Sequence, residues 1–147
     1  MNIRRAGSDD VTALATLRRA WAEEEAGGPI DDDDFEREFA SWIAAEGDTR
    51  VFFIVEVDTE PIGMGNVKRY ERMPTPGRTR DMWGYVGNVY VSEEHRNAGV
   101  GAALMGALAA WAWEHGADKL RLSPATRAVP FYERAGWAQS ALLQLDR

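Results

Sequence analysis

Arg96-Asn97-Ala98-Gly99-Val100-Gly101 places an arginine and two glycines directly ahead of an apolar repeat with helical spacing. Glycines at such a position leave successive backbone N–H groups unshielded, and the first four amides of a helix have no intrahelical acceptor. With the positive end of the helix dipole behind them, these amides suit a phosphate or pyrophosphate, and Arg96 adds a charge-assisted contact. A P-loop needs Gly-Lys-Ser/Thr after its glycines, and a dinucleotide-binding turn sits near the start of a βαβ series. The segment meets neither condition. A glycine-rich strand-to-helix turn with no ligand is the plain alternative.

Other chemistries are closed off by residue type. The chain has no Cys, which excludes disulfides, thiolate nucleophiles and Cys-ligated zinc. His95 and His115 are the only histidines, so no multi-histidine metal site is expected. His95 sits in a turn near the anion-binding amides, and His115 falls in the last turn of a helix, where an imidazole complements the dipole.

The elements that must position the turn follow from periodicity. Ile3 to Arg5 reads as a first strand, and Ser8-Asp9-Asp10 opens a helix whose apolar face is Val11, Leu14, Leu17 and Trp21. Arg18, Arg19 and Glu23 to Glu25 are expected on its wet side, and Gly27-Gly28-Pro29 ends it. A second helix is expected over about Asp33 to Glu46. Val51 to Val57 and Ile62 to Tyr70 read as a hairpin turned at Asp58 to Pro61. Met73 to Asp81 reads as a loop.

Trp83 to Val91 resumes the strand pattern, with Gly84 and Gly87 hinting at a bulge or a close ligand approach. Gly99 to His115 is the longest apolar helix, Lys119 to Leu122 a short strand, and Val129 to Ala135 a last helix with Pro130 in its first turn. Ala138 to Leu145 is strand-like. The order β-α-α-β-β-β-α-β-α-β defines an α/β (α+β) fold, a mixed and mostly antiparallel sheet flanked by helices.

The chain of 147 residues supports one domain, residues 1–147, with 45% hydrophobic and 28% charged residues. Twenty-four acids against 17 bases give a formal charge of −7, which opposes partnership with nucleic acid or an anionic membrane. No segment reads as a signal core or membrane span, so the expectation is a cytoplasmic protein. Residues 1–60 hold 16 acids and 6 bases, and residues 61–147 hold 8 acids and 11 bases. The first part is therefore suited to a cation and the second to an anion. Six tryptophans leave room for an aromatic patch, and with it a homodimer contact.

Strand Asn88-Val89-Tyr90-Val91, then Arg96-x-x-Gly99-x-Gly101, a helix, a strand and Phe131-Tyr132-Glu133-Arg134-Ala135-Gly136-Trp137 together resemble the GNAT superfamily of acetyl-CoA-dependent N-acetyltransferases. The specific similarity covers about Trp83 to Trp137, and the element order of the first 82 residues agrees with that fold. The resemblance implies a cofactor pyrophosphate wrapped by Arg96, Asn97, Ala98, Gly99, Val100 and Gly101. It implies a pantetheine arm paired along Val89, Tyr90 and Val91, where the strand splays from the next one. Tyr132 matches the family's late tyrosine, which stands near the thioester sulfur and protonates the leaving thiolate, and Trp137 replaces the more usual Phe. A phenol of pKa near 10 is able to donate to a thiolate as charge develops.

The departures from the family pattern are local. Many relatives carry an Asn before the tyrosine helix, where this chain offers Ser123 or Thr126. The fourth strand has no acid to act as general base, which leaves Asp81, Glu24 or a water chain. On the acceptor side the resemblance implies contributions from the first two helices, with Trp21, Glu24 and Asn88 as candidate substrate contacts. The acids at 23–25 and 31–34 suit a cationic amine, although caps and solvated faces use the same residues. The resulting expectation is transfer of an acetyl group from acetyl-CoA to a primary amine, without a metal. A non-catalytic acyl-CoA-binding module, or an enzyme using another acyl group or an alcohol acceptor, is the alternative.

Overall fold

The computed structural model describes residues 1–79 and 82–147. Strand β1 (Asn2–Arg5) leads through a 3-10 turn at Ser8–Asp10 into α1 (Val11–Ala26), followed by α2 (Phe35–Glu46). Then come β2 (Arg50–Val57), β3 (Glu60–Glu71), β4 (Met82–Val91), α3 (Val100–Glu114), β5 (Ala117–Arg121) and α4 (Val129–Arg134). The five strands form one sheet in the order β1-β2-β3-β4-β5, antiparallel except for the β4–β5 pair. This is the mixed α/β fold expected from the sequence.

Asp58 and Thr59 both take positive φ, +49° and +68°, the twist that a two-residue hairpin between β2 and β3 requires. Strand alternation then separates two apolar layers. Val51, Phe53 and Val55 of β2 pack with Leu104, Leu108 and Trp111 of α3, while Phe52 and Ile54 pack with Leu14 and Leu17 of α1 and Phe39 of α2. Both faces of β2 are thus covered, which explains its unbroken apolar run.

One sequence expectation changes. Ala138 to Leu145 forms no strand: it makes no ladder with β5, and Leu142, Leu143 and Leu145 are exposed. Strand-like composition produces a strand only where a partner supplies the hydrogen bonds. Gly84 is a packing glycine, because a Cβ there would lie 2.6 Å from Leu120 Cδ2 and 2.7 Å from Val67 Cγ1. Its small size brings β4 against both neighbours, and the irregularity it hinted at is present as a register shift between β4 and β5 at Met82–Gly84. Among the described residues no helix is long and apolar enough to cross a membrane. Asp81 lies outside the described residues.

Candidate active site

Strand β4 is the axis of the site, and two irregularities shape it. Its register with β3 jumps from Met64–Tyr90 to Asn66–Gly87, so Asn88 and Val89 together oppose Gly65. This is a β-bulge, and Asn88 takes φ +53° at its apex. The extra residue inverts the alternation beyond it. Val89 and Val91 pack on the α3 layer, and Tyr90 turns to the α1 layer. On the other edge, β4 pairs with β5 only through Met82, Gly84 and Tyr85, so its backbone from Val86 to Val91 runs past β5 with an open edge.

That open edge points toward the glycine turn. Asn97 and Gly99 take φ +61° and +81°, and Ala103 N–H is the first to close a helical bond, to Gly99 O at 3.0 Å. The amides of Val100, Gly101 and Ala102 form the unpaired first turn ahead of it. A Cβ at Gly99 would meet nothing within 4 Å, so the concavity formed by these amides opens outward. A Cβ at Gly101 would stand 3.6 Å from Phe131 Cζ, which seats α4 against the start of α3. The arrangement fits the diphosphate of a coenzyme A thioester.

Arg96 does not extend freely over this turn. Its Nε donates to Val91 O at 2.8 Å and its Nη2 lies 2.7 Å from Glu24 Oε1. Tyr90 Oη also donates to Glu24, at 3.2 Å, and the Tyr90 ring stacks on Trp21 with centroids 5.8 Å apart. Burial first, and then the Glu24 carboxylate, push the Tyr90 phenol above its ordinary pKa. Glu24 thus bonds both Tyr90 and Arg96, and Trp21 stacks on Tyr90.

Tyr132 lies half-buried on α4, in edge contact with Phe131 (5.1 Å) and Trp137 (6.1 Å). Loss of solvent raises its phenol above the usual value. It lines a cavity of about 590 Å³ with Leu120, Leu122, Ser123, Val129 and Trp137. Ser123 therefore shares a cavity with the tyrosine, whereas Thr126 begins an exposed 3-10 turn just before α4. His95 Nδ1 sits 2.9 Å from Ser92 Oγ, and His115 is held by Trp111 through a 2.7 Å contact to its carbonyl.

On the opposite face of β4, a second cavity of about 210 Å³ is lined by Arg18, Phe35, Phe39, Trp42, Phe52, Met64 and Asn88. Asn88 is the one candidate acceptor contact from the sequence that reaches it. Arg18, expected on the wet face of α1, forms part of its wall. Of the acids expected to face a cation, Glu23 meets Arg19, Glu24 meets Arg96, Asp34 meets Arg37, and Glu25 accepts from the Trp21 indole. Among the described residues no group of three His, Cys, Asp or Glu side chains is placed to hold a metal ion.

The fold coincides with that of known proteins. Residues 14–137 match the model of the acetyltransferase (GNAT) family, and the chain belongs to that family. An uncharacterized N-acetyltransferase, YjcF, of Bacillus subtilis (strain 168) is 40% identical over 60 residues, which is 41% of this chain and 43% of that protein. The match thus spans less than half the length of that curated relative. A predicted acetyltransferase from Clostridium acetobutylicum, solved with acetyl-CoA, superposes with a TM-score of 0.78 at 22% identity, covering 99% of this chain and 95% of the other. Glucosamine-6-phosphate N-acetyltransferase from Arabidopsis thaliana gives 0.71 at 20% identity, covering 99% and 97%. Both structures share the fold.

Proposed function

We propose that the protein is an acetyl-CoA-dependent N-acetyltransferase acting on a primary amine of a small molecule or peptide. The observation that carries this reading is the open β4 edge from Val86 to Val91, which ends at the unpaired amides of the α3 N-terminus. The edge suits an amide-bearing arm as an added strand, and the turn suits a diphosphate. Val89, Tyr90 and Val91 would hold the arm by their backbone, and the Arg96–Gly101 turn would hold the anionic end.

Acetyl-CoA supplies an activated acyl carbon: as the neutral amine nitrogen bonds to it, the C–S bond breaks, the thiolate that leaves takes a proton, and the proton shed by the nitrogen passes to water. Tyr132 is the proton donor to that sulfur, since α4 is seated against the start of α3 and burial keeps the phenol protonated. The backbone at the Asn88 bulge, freed from the β3 ladder, would orient the acyl oxygen. The amine arrives from the α1–α2 side of β4, where the smaller cavity opens beside Asn88.

Calorimetry with acetyl-CoA and a thiol-release assay over a panel of primary amines test the reading. Gly99→Glu adds bulk and negative charge at a left-handed position in the phosphate turn and should lower coenzyme affinity at least about tenfold. Unchanged affinity in that variant would remove the pyrophosphate assignment. Tight coenzyme binding with no thiol release from any amine would instead favour the non-catalytic module.

A further inference from the structure

The 210 Å³ cavity has a composition that defines its ligand. Phe35, Phe39, Trp42, Phe52 and Met64 make its walls apolar, and the polar groups that line it are Arg18 and Asn88. Among the described residues no carboxylate lines it. The Arg18 guanidinium lies over the Trp21 ring at 4.7 Å, and its Nη1 is shut away from solvent with no hydrogen-bond acceptor. Arg19, its neighbour, is by contrast bonded to Glu36 and to the carbonyls of Ile30 and Asp32. An arginine left without an acceptor at the wall of an apolar cavity is costly unless a ligand supplies the acceptor.

The second polar group also faces the cavity as a donor. Arg50 has only donors, so its Nη1 fixes Asn66 with Oδ1 toward it at 2.7 Å. Asn66, fully buried, then donates from Nδ2 to Asn88 Oδ1 at 2.9 Å. What remains uncommitted on Asn88 is its Nδ2 amide. A cation and an amide donor in an aromatic box call for an anion with an apolar body, and the planar fork of arginine matches a carboxylate. The volume, about seven times the ~30 Å³ share of one water, limits that ligand to roughly amino-acid size.

We propose that this cavity is the acceptor site and that it takes a small amine carrying a carboxylate on an aromatic or branched apolar body, an amino acid in chemical class, with the carboxylate on Arg18. The proposal rests on the acetyl-transfer reading for the reaction but not for the binding. It replaces the cationic acceptor suggested by the acidic N-terminal half of the sequence.

Two measurements test it separately from that reading. 3-Phenylpropionate, which has a carboxylate and a ring but no amine, should quench tryptophan fluorescence in the wild-type chain and bind at least about tenfold more weakly to Arg18→Met, with Arg18→Lys in between. In thiol release, L-phenylalanine and L-leucine should exceed phenethylamine and isoamylamine in kcat/KM by about tenfold or more, and Arg18→Met should erase that preference through KM. Acetyl-CoA affinity should be the same in all three proteins, which also reports that they fold. Equal binding of 3-phenylpropionate to wild type and Arg18→Met, or a preference for the amines without carboxylates, overturns the proposal. Arg18-dependent binding of 3-phenylpropionate with no acetyl transfer to any amine sustains the carboxylate site and overturns the enzymatic reading instead.

Discussion

Arg96 and Glu24 are joined across 72 positions of sequence by a 2.7 Å ion pair, which ties the C-terminal end of α1 to the turn ahead of α3. The same carboxylate accepts from Tyr90, so one acid holds both the arginine of the phosphate turn and the strand that leads to it. A bound diphosphate would share Arg96 with Glu24 at close range, and like charges there repel. Glu24→Gln should therefore raise acetyl-CoA affinity by about two- to fivefold at low ionic strength, with the gain shrinking as salt is added. Titration calorimetry at two salt concentrations reads this directly. Weaker binding in Glu24→Gln would mean that Glu24 serves to aim Arg96 rather than to compete for it.

Tyr132 acts, in the proposed mechanism, as an acid that must be protonated to work. Desolvation raises its pKa, so the protonated form persists through neutral and mildly alkaline pH, and activity that depends on it is lost only above the ordinary phenol value near 10. Tyr132→Phe should lower kcat by about 10²-fold while leaving acetyl-CoA affinity within about twofold. A parallel fall in kcat and coenzyme affinity would make the residue a packing element of α4, in keeping with its ring contacts to Phe131 and Trp137.

The glycine turn ahead of α3 and the order of elements as far as α4 were legible because they are written locally, in glycines beside a helical repeat and in apolar alternation. The site's other half was not. A period-two reading of β4 puts Val86, Asn88 and Tyr90 on one face, whereas the bulge moves the parity by one and sends Tyr90 to α1. Gly87 hinted at a bulge, and one follows it, but the place of the extra residue is defined only by the single Gly65 opposite. Arg18 lies next to the apolar stripe of α1, and only the approach of α2 turns that flank into a cavity wall. The acidic run was legible as composition, but which of its charges pair was not: Glu23 meets Arg19 and Asp34 meets Arg37 only once the two helices are in place.

The N-terminal strand carries a separate acid-labile anchor. Arg4 donates to both Asp10 oxygens at 2.8 Å and to Glu56 at 2.6 Å, joining β1, the turn before α1 and β2. The arginine first, and then the Gly7 amide, lower the Asp10 carboxyl to about 2 from 3.8. A depressed carboxylate contributes stability that is complete above the unfolded value and is lost as pH falls through the folded one. Asp10→Asn should therefore cost about 1 kcal/mol at pH 7, allowing for solvent screening of the exposed arginine. The difference from wild type should shrink between pH 4 and about 2. Urea unfolding at pH 7 and at pH 3 tests both parts, and a mutant deficit that stays constant across the two would refute the linkage.

The relay from Arg50 through Asn66 to Asn88 links the sheet interior to the bulge, and it separates a structural from a catalytic role for that bulge. Asn66 is fully buried on β3, takes one hydrogen bond from Arg50 and gives one to Asn88, whose φ of +53° a non-glycine residue adopts only under constraint. Asn66→Ala removes both bonds and should destabilise the fold by about 1–3 kcal/mol. It should also loosen Asn88, so kcat should fall about tenfold in fully folded protein, because a small misplacement of an orienting group is felt in the transition state. Acetyl-CoA affinity should hold, since the proposed contacts to the arm and the diphosphate run from Val89 to the glycine turn and do not use the Asn88 side chain. Measuring kcat at a temperature well below the mutant's unfolding midpoint isolates the second effect from the first. A stability loss with unchanged kcat would confine the relay to holding β3 against β4 and would remove the bulge from the reaction.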